Sequence, residues 1–203
     1  MVEDKRTALL QSTVRAVAKH GMRDVSTRSI SGDAGVNDAY IYRYFRDKED
    51  MLAQAYALEH SAFMNRFLAQ AKALHEIPLG LSFEEQLTMD FRCAWRYLID
   101  NPDVCRFFVY YYHSPNFKKY AYEGHRRQVD CLAEQMLPLF DSLEDAENCL
   151  YAVFHLLYSF TLQVVDGDLP DNEGTWNRVA KTLLGTMSAH TKIPGQDGAA
   201  TQK

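Results

Sequence analysis

Apolar residues recur at three- and four-residue intervals along nearly the whole chain, the spacing that lines one face of a 3.6-residue helix. Leu9, Thr13, Ala16 and Val17 fall on one face, with Leu10 and Val14 beside it. They predict a helix from about Asp4 to His20, ended by Gly21. Ser26 is placed to N-cap a short second helix carrying Ile30 and Ala34. Gly35 stops that helix, and Val36 plugs the turn with an apolar side chain. Asn37 caps a third short helix over Asp38–Tyr44, with Ile41 and Phe45 facing inward. Asp47 caps a fourth helix that runs to about Leu74. His75–Ser82, with Pro78 and Gly80, reads as a linker.

The remainder continues in the same period. A helix over Phe83–Asp100 has the stripe Leu87, Phe91, Ala94, Trp95 and Leu98, and Asn101-Pro102 breaks it. A helix over Asp103–Tyr112 follows; its Phe107–Tyr112 run is the one short stretch that also alternates. Ser114-Pro115-Asn116 is a turn. Three more helices are predicted over about Phe117–Leu137, Leu143–Val165 and Glu173–His190, the last two separated by the Asp/Gly/Pro-rich Asp166–Asn172. The expected fold is all-α with about nine helices and no internal repeat. A three-helix head occupies 1–48, a helical body 49–192 and a disordered Gly/Ala/Gln-rich tail 193–203.

The 203 residues exceed a small recognition module and fall short of two full-sized domains. At 47% hydrophobic and 12% aromatic they suffice to bury a core. The net charge of −5 is uneven. Residues 1–48 hold 9 Lys/Arg and 6 Asp/Glu, a net of +3; residues 49–203 hold 13 and 21, a net of −8. A basic head on an acidic body suits a molecule that meets a polyanion at one end only. Cys93, Cys105, Cys131 and Cys149 follow no metal-site spacing and read as reduced thiols, so neither a metal nor a cofactor is expected. The N-terminus lacks the pattern of a signal peptide. The longest apolar run, Cys149–Val165, contains His155, Ser159, Thr161 and Gln163 and is shorter than the ~20 apolar residues of a membrane span. A cytoplasmic protein with no membrane partner is expected.

Two short capped helices joined by a glycine-containing turn make a helix-turn-helix. Such a unit offers helix N-termini to phosphate and outward side chains to base edges in the major groove. The sequence here resembles the tetracycline-repressor (TetR) family. Ile30, Ala34-Gly35-Val36, Ile41-Tyr42, Tyr44-Phe45 and Lys48-Glu49 match in register, as do Leu9-Leu10 and Gly21, over residues 5–52. The body is only loosely similar, through Asn101-Pro102, Arg106-Phe107 and Ser114-Pro115. Ser31, Val17, Met22 and Asn37 depart from the usual residues as packing or capping variants. The resemblance implies a DNA-binding transcriptional regulator that is not an enzyme.

With the resemblance, the geometry of the unit assigns roles. Arg28 and Arg43 are expected to read base edges, most naturally guanine; Asp38 would accept from a cytosine amino group, and Ala39 and Tyr40 would touch a thymine methyl. Ser26, Thr27, Asn37, Tyr42, Tyr44 and Lys48 are expected on phosphates. The competing assignments are packing for Tyr42 and Tyr44, an Arg43–Asp47 pair, and pairing of Arg28 with Asp24 or Asp33.

In the body, aromatic residues cluster with His113, His155 and Gln163, the mixture of apolar walls and polar handles that ligand sites have. Phe91, Trp95, Phe107, Tyr111, His113, Phe154, Tyr158 and Gln163 are the candidate pocket residues, with core packing as the alternative for each. The resemblance implies a hydrophobic or amphipathic effector that releases a repressor from a palindromic operator. The helix over 143–165 is apolar on nearly all sides and so needs burial on two. TetR-like dimers join their last two long helices in a four-helix bundle, which implies a homodimer with Leu150, Leu157, Thr161, Trp176 and Leu183 at the interface. The alternatives are a regulator whose body only dimerises, a helical enzyme, for which no catalytic motif is present, and a thiol switch.

Overall fold

The spacing that predicts helices also sets where they break. In the computed structural model, which describes residues 2–76 and 80–191, all the regular structure of the described residues is helical. There are ten α-helices: α1 (Val2–Asp24), α2 (Thr27–Asp33), α3 (Ala39–Tyr44), α4 (Lys48–His75), α5 (Phe83–Asp100), α6 (Pro102–Tyr112), α7 (Pro115–Tyr120), α8 (Tyr122–Met136), α9 (Leu143–Val165) and α10 (Glu173–His190), with a 3-10 turn at Leu137–Leu139. Gly21 interrupts α1 with φ 72°, a left-handed conformation that residues with a Cβ adopt only at a cost. Gly35, at φ 65°, turns the chain from α2 toward α3 in the same way. Ser82, which the sequence leaves in the linker, caps α5: its Oγ accepts from Glu85 N–H, and Glu85 Oε2 accepts from Ser82 N–H at 2.8 Å. The expected Pro78 of that linker and the tail 193–203 lie outside the described residues.

One expected element is corrected. The single helix over 117–137 is two, parted at Ala121 (φ −123°, ψ −18°), and the first of them begins at Pro115. Neither glycine nor proline stands at the break. Tertiary packing accounts for it: Phe117 is buried with its ring 4.5 Å from that of Tyr112, while Val129, Leu132 and Ala133 are buried on α8, which packs against α9. One straight axis does not serve both sites.

The core runs without interruption from head to body. Leu9, Val17, Ile30, Ile41, Met51 and Leu52 fill the head. From there α1 lies alongside α6 as well as α4, so the head joins the body through two helices. The central helix is α9, packed on α5, α6, α8 and α10. By length and composition α9 is apolar enough to cross a bilayer, yet it belongs to this packed core, and only 33% of its most apolar stretch is buried. Its buried stripe includes Leu150, Leu157 and Thr161, and that of α10 includes Trp176 and Leu183. The five residues expected at a dimer interface are therefore consumed inside the protomer. A helix apolar all round does not announce which stripe faces its own core. Here Leu156 and Phe160, one turn apart on α9, stay partly exposed, as does Leu184 on α10.

Candidate DNA interface and body cavity

The α2–turn–α3 unit is held by short polar side chains. Ser26 and Ser29 cap α2 reciprocally: Ser26 Oγ accepts from Ser29 N–H at 3.1 Å, and Ser29 Oγ accepts from Ser26 N–H at 3.1 Å. Ser12 Oγ donates to the Ile30 carbonyl at 2.6 Å, fixing α2 on α1. Ser31 Oγ donates to the Asp38 carboxylate, tying α2 to the start of α3. Asn37 Oδ1 accepts from Ala39 N–H at 2.9 Å, the capping role its sequence suggests. Asp47 Oδ1 accepts from Asp50 N–H at 2.7 Å to start α4. Lys48 Nζ then donates to the Val25 carbonyl at 3.3 Å, just before α2. The spacing of α2, α3 and the first turn of α4 is thus fixed by named bonds.

These bonds leave a polar, open face. Ser26, Arg28, Asn37, Asp38, Ala39, Tyr42 and Arg43 are exposed, and Thr27, Tyr40, Tyr44 and Lys48 are partly so. Tyr42, at 65% exposure, is the large aromatic that the head leaves furthest in the open, so the packing alternative for it loses its basis. Among the described residues neither Arg28 nor Arg43 forms an ion pair. Asp33, one of the two candidate partners of Arg28 beside Asp24, is held by Arg15 at 2.6 Å. Asp38 is exposed, but its carboxylate is engaged by Ser31, so it works first as a brace between the helices. Tyr44 stacks on Tyr40 with ring centroids 6.4 Å apart.

Sequence reasoning missed the start of α1. Lys5 Nζ lies 4.1 Å from the Tyr40 ring centroid, and the ammonium, by hydrogen bonding and by its charge, lowers the phenol pKa from its ordinary value. Arg6 lies 5.7 Å from the Phe45 ring and bonds Gln54. The signal was present as a basic pair opening an amphipathic helix.

The second site lies in the body. A cavity of about 100 Å³ is lined by Tyr56 of α4, by Phe108, Val109, Tyr112 and His113 on and just after α6, and by His155, Tyr158, Ser159 and Leu162 of α9. A lobe of about 20 Å³ shares Tyr112, His155 and Tyr158 and adds His60, His125 and Phe154 among its walls. Behind these walls the polar groups are paired. The Tyr56 hydroxyl meets His125 Nδ1 at 3.1 Å. His60 Nδ1–H donates to Gln128 Oε1, whose amide donates in turn to Ser61 Oγ at 2.7 Å. Burial holds the His60 imidazole down to about 4 and that of His125 to about 3, and it lowers His155 as well. The same desolvation raises the phenols of Tyr56 and Tyr158.

Of the expected pocket residues, His113, Phe154 and Tyr158 border this space. The others do not. Phe107 and Tyr111 are fully buried behind Tyr56, stacked 5.7 Å apart, and the Tyr111 hydroxyl has no hydrogen-bond partner among the described residues. Phe91 stacks on Phe67 at 6.5 Å, and Trp95 packs 5.8 Å from Trp176 where α5 meets α10. Gln163 bonds back to the Ser159 carbonyl at 3.4 Å. Sequence reading passed over Tyr56, His60 and His125; the i, i+4 spacing of Tyr56 and His60 was the available clue.

Residues 9–55 match the family described as bacterial regulatory proteins, tetR family. An uncharacterized HTH-type transcriptional regulator from Haemophilus influenzae is 27% identical over 115 residues, 57% of this chain and 58% of that relative's length. Among solved structures, the fatty acid degradation regulator FadR from Bacillus halodurans superposes with a TM-score of 0.70 at 21% identity, over 89% of this chain and 95% of that one. The multidrug binding protein EbrR complexed with imidazole gives 0.63 at 17% identity, over 95% and 97%. The head over residues 9–55 is thus similar to the tetR family of bacterial regulatory proteins, and the chain as a whole shares the helical fold of these solved structures.

Proposed function

We propose that the protein is a homodimeric transcriptional repressor that holds a palindromic operator through its two α3 helices and releases it when a small molecule fills the body cavity. The observation that carries this reading is the double duty of α4. Its first residue, Lys48, bonds the Val25 carbonyl beside α2, and its Tyr56 forms a wall of the cavity. A ligand that displaces Tyr56 acts on the same rigid element that positions the head. It shifts affinity only as far as it prefers the non-operator geometry, with couplings of typically ~1–3 kcal/mol.

DNA contact is assigned as the exposed face suggests: Arg28 and Arg43 with Ala39 and Tyr40 at base edges, and Ser26, Thr27, Asn37, Tyr42, Tyr44 and Lys48 on phosphates, with Asp38 bracing them. Dimerisation is assigned to the outward stripes of α9 and α10, through Leu156, Phe160 and Leu184. FadR is a regulator of fatty acid degradation and EbrR a multidrug binding protein; a small-molecule effector for this chain is carried over from their kind of fold. The protein then works in the cytoplasm, where the DNA is.

The test is operator selection from random duplexes, followed by fluorescence anisotropy on the selected site. A palindromic consensus whose complex dissociates on adding a cavity ligand is the expected result. A selected site without two-fold symmetry refutes the dimeric reading. The small cavity and the dense aromatic packing around it favour one second reading, a body that only dimerises. Operator affinity unmoved by every compound that binds the body establishes it.

A further inference from the structure

The lining of the cavity divides into two polar sets. Tyr56, His60 and His125 already have partners in the protein. The hydroxyls of Tyr112, Tyr158 and Ser159 and the imidazoles of His113 and His155, all on the wall of the larger space, make no side-chain hydrogen bond among the described residues. Paired groups fix the walls; unpaired groups remain for an occupant. His113 and Ser159 are exposed and Tyr112, His155 and Tyr158 half-buried, so the second set sits where an occupant entering the space would meet it. Neither lobe is lined by Asp, Glu, Lys or Arg. A carboxylate would enter without a permanent cation to meet it, and an ammonium without an anion, and either burial is strongly unfavourable. The volume of about 100 Å³ compares with the ~150 Å³ of a protein cavity that holds benzene. The rings of Tyr56, Phe108, Tyr112 and Tyr158 supply flat apolar surface at that scale.

We propose that the cavity takes an uncharged compound of about one ring that carries a hydroxyl, a phenol or aryl alcohol, and excludes fatty acids and organic cations. The assignment rests on the ligand-responsive reading above and gives it a chemical class. A hydroxyl both donates and accepts. A neutral imidazole and a tyrosine hydroxyl each do so too, so His155 and Tyr158 satisfy it from two sides. Burial keeps His155 in that neutral form at neutral pH.

The experiment is calorimetric titration of the full-length protein at neutral pH with phenol, toluene, benzoate, benzylammonium and decanoate, with operator release followed in parallel. Phenol should bind about tenfold more tightly than toluene, the difference a hydrogen bond or two supplies, and the three charged probes should not bind. His155→Phe keeps the ring and removes the nitrogen atoms; Tyr158→Phe removes one oxygen and is the gentler change. Each should erase the phenol-over-toluene preference while leaving toluene binding and thermal unfolding close to wild type. A charged probe that binds more tightly than phenol, toluene equal to phenol on the wild-type protein, or no phenol binding at all overturns the proposal. Phenol binding without operator release upholds the occupant and refutes the sensor reading. Release by decanoate with no phenol binding refutes the occupant and leaves the sensor reading standing.

Discussion

Leu156 and Leu157 are the same residue one position apart, and the fold assigns them opposite work. Leu157 is 0% exposed, inside the stripe that α9 turns to its own core. Leu156 is partly exposed on the other side. Leu157→Ala empties a fully buried position, and such truncations cost ~3–5 kcal/mol of unfolding free energy. Leu156→Asp takes an apolar side chain from the proposed interface at two symmetry-related places. At about 1.5 kcal/mol each, the dimer weakens by ~3 kcal/mol, on the order of a hundredfold in dissociation constant, before any penalty for the new charges. Sedimentation velocity from submicromolar to tens of micromolar protein measures the second effect, and denaturant unfolding measures the first. Leu156→Asp should be a folded monomer at concentrations where the wild type is dimeric. Leu157→Ala should unfold early. If Leu156→Asp dimerises like the wild type, the outward stripe of α9 is not the interface.

Other outcomes follow from the same geometry. Arg43→Ala should lose ~1–3 kcal/mol of operator affinity and relax preference at one base position per half-site, with unfolding unchanged because Arg43 has no ion pair to lose; anisotropy on single-base operator variants reads it, and an unchanged preference removes Arg43 from the reading set. Stability should fall as the solution is acidified below the ordinary histidine value near 6.5, because the unfolded chain then takes up protons that His60, held at about 4, and His125, at about 3, refuse in the folded state. The slope approaches ~1.4 kcal/mol per pH unit for each of the two, and an unfolding midpoint that is flat from neutral pH to pH 5 contradicts it. Trp95→Ala should destabilise by ~3–5 kcal/mol through the lost packing on Trp176 while leaving cavity ligand affinity within a few-fold of wild type, measured by calorimetry on the folded fraction.

What the sequence conveys well is what local chemistry decides. The caps at Ser26, Asn37 and Asp47, the stops at Gly21 and Gly35 and the stripe of Phe83–Asp100 all read directly, since each turns on one residue's backbone preference or on a clean period. The exposed face of α2 and α3 follows from the same periodicity once Ile30 and Ile41 point inward. What the sequence conveys poorly is which neighbour an apolar face meets. Leu150 and Leu183 are apolar whether they face a sister chain or their own core, and the protomer buries both in its own core. Trp95 and Phe91 look like pocket walls by composition, yet Trp95 sits at the α5–α10 seam and Phe91 stacks on Phe67 of α4. The break at Ala121 leaves no local mark because Phe117 and α8 are pulled to different partners. Tyr56 and His60 stand one turn apart on α4, but His125 comes from α8, and only the fold brings its ring to theirs.

Under the proposed function, the contact of α1 with α6 bears on how the operator preference can change. A head joined by one helix would be a cassette, exchangeable between relatives by recombination at its boundary. Here the first helix is seated on the body, so a foreign head spliced in at residue 48 arrives with an α1 shaped for another α6. Under the proposed function, operator preference is freer to drift inside α2 and α3, where Arg28, Ala39, Tyr42 and Arg43 are exposed, than to be acquired wholesale. A chimera that replaces only residues 26–44 should therefore fold and take on the donor's operator, and one that replaces the whole head should need matching changes along α6 to do the same.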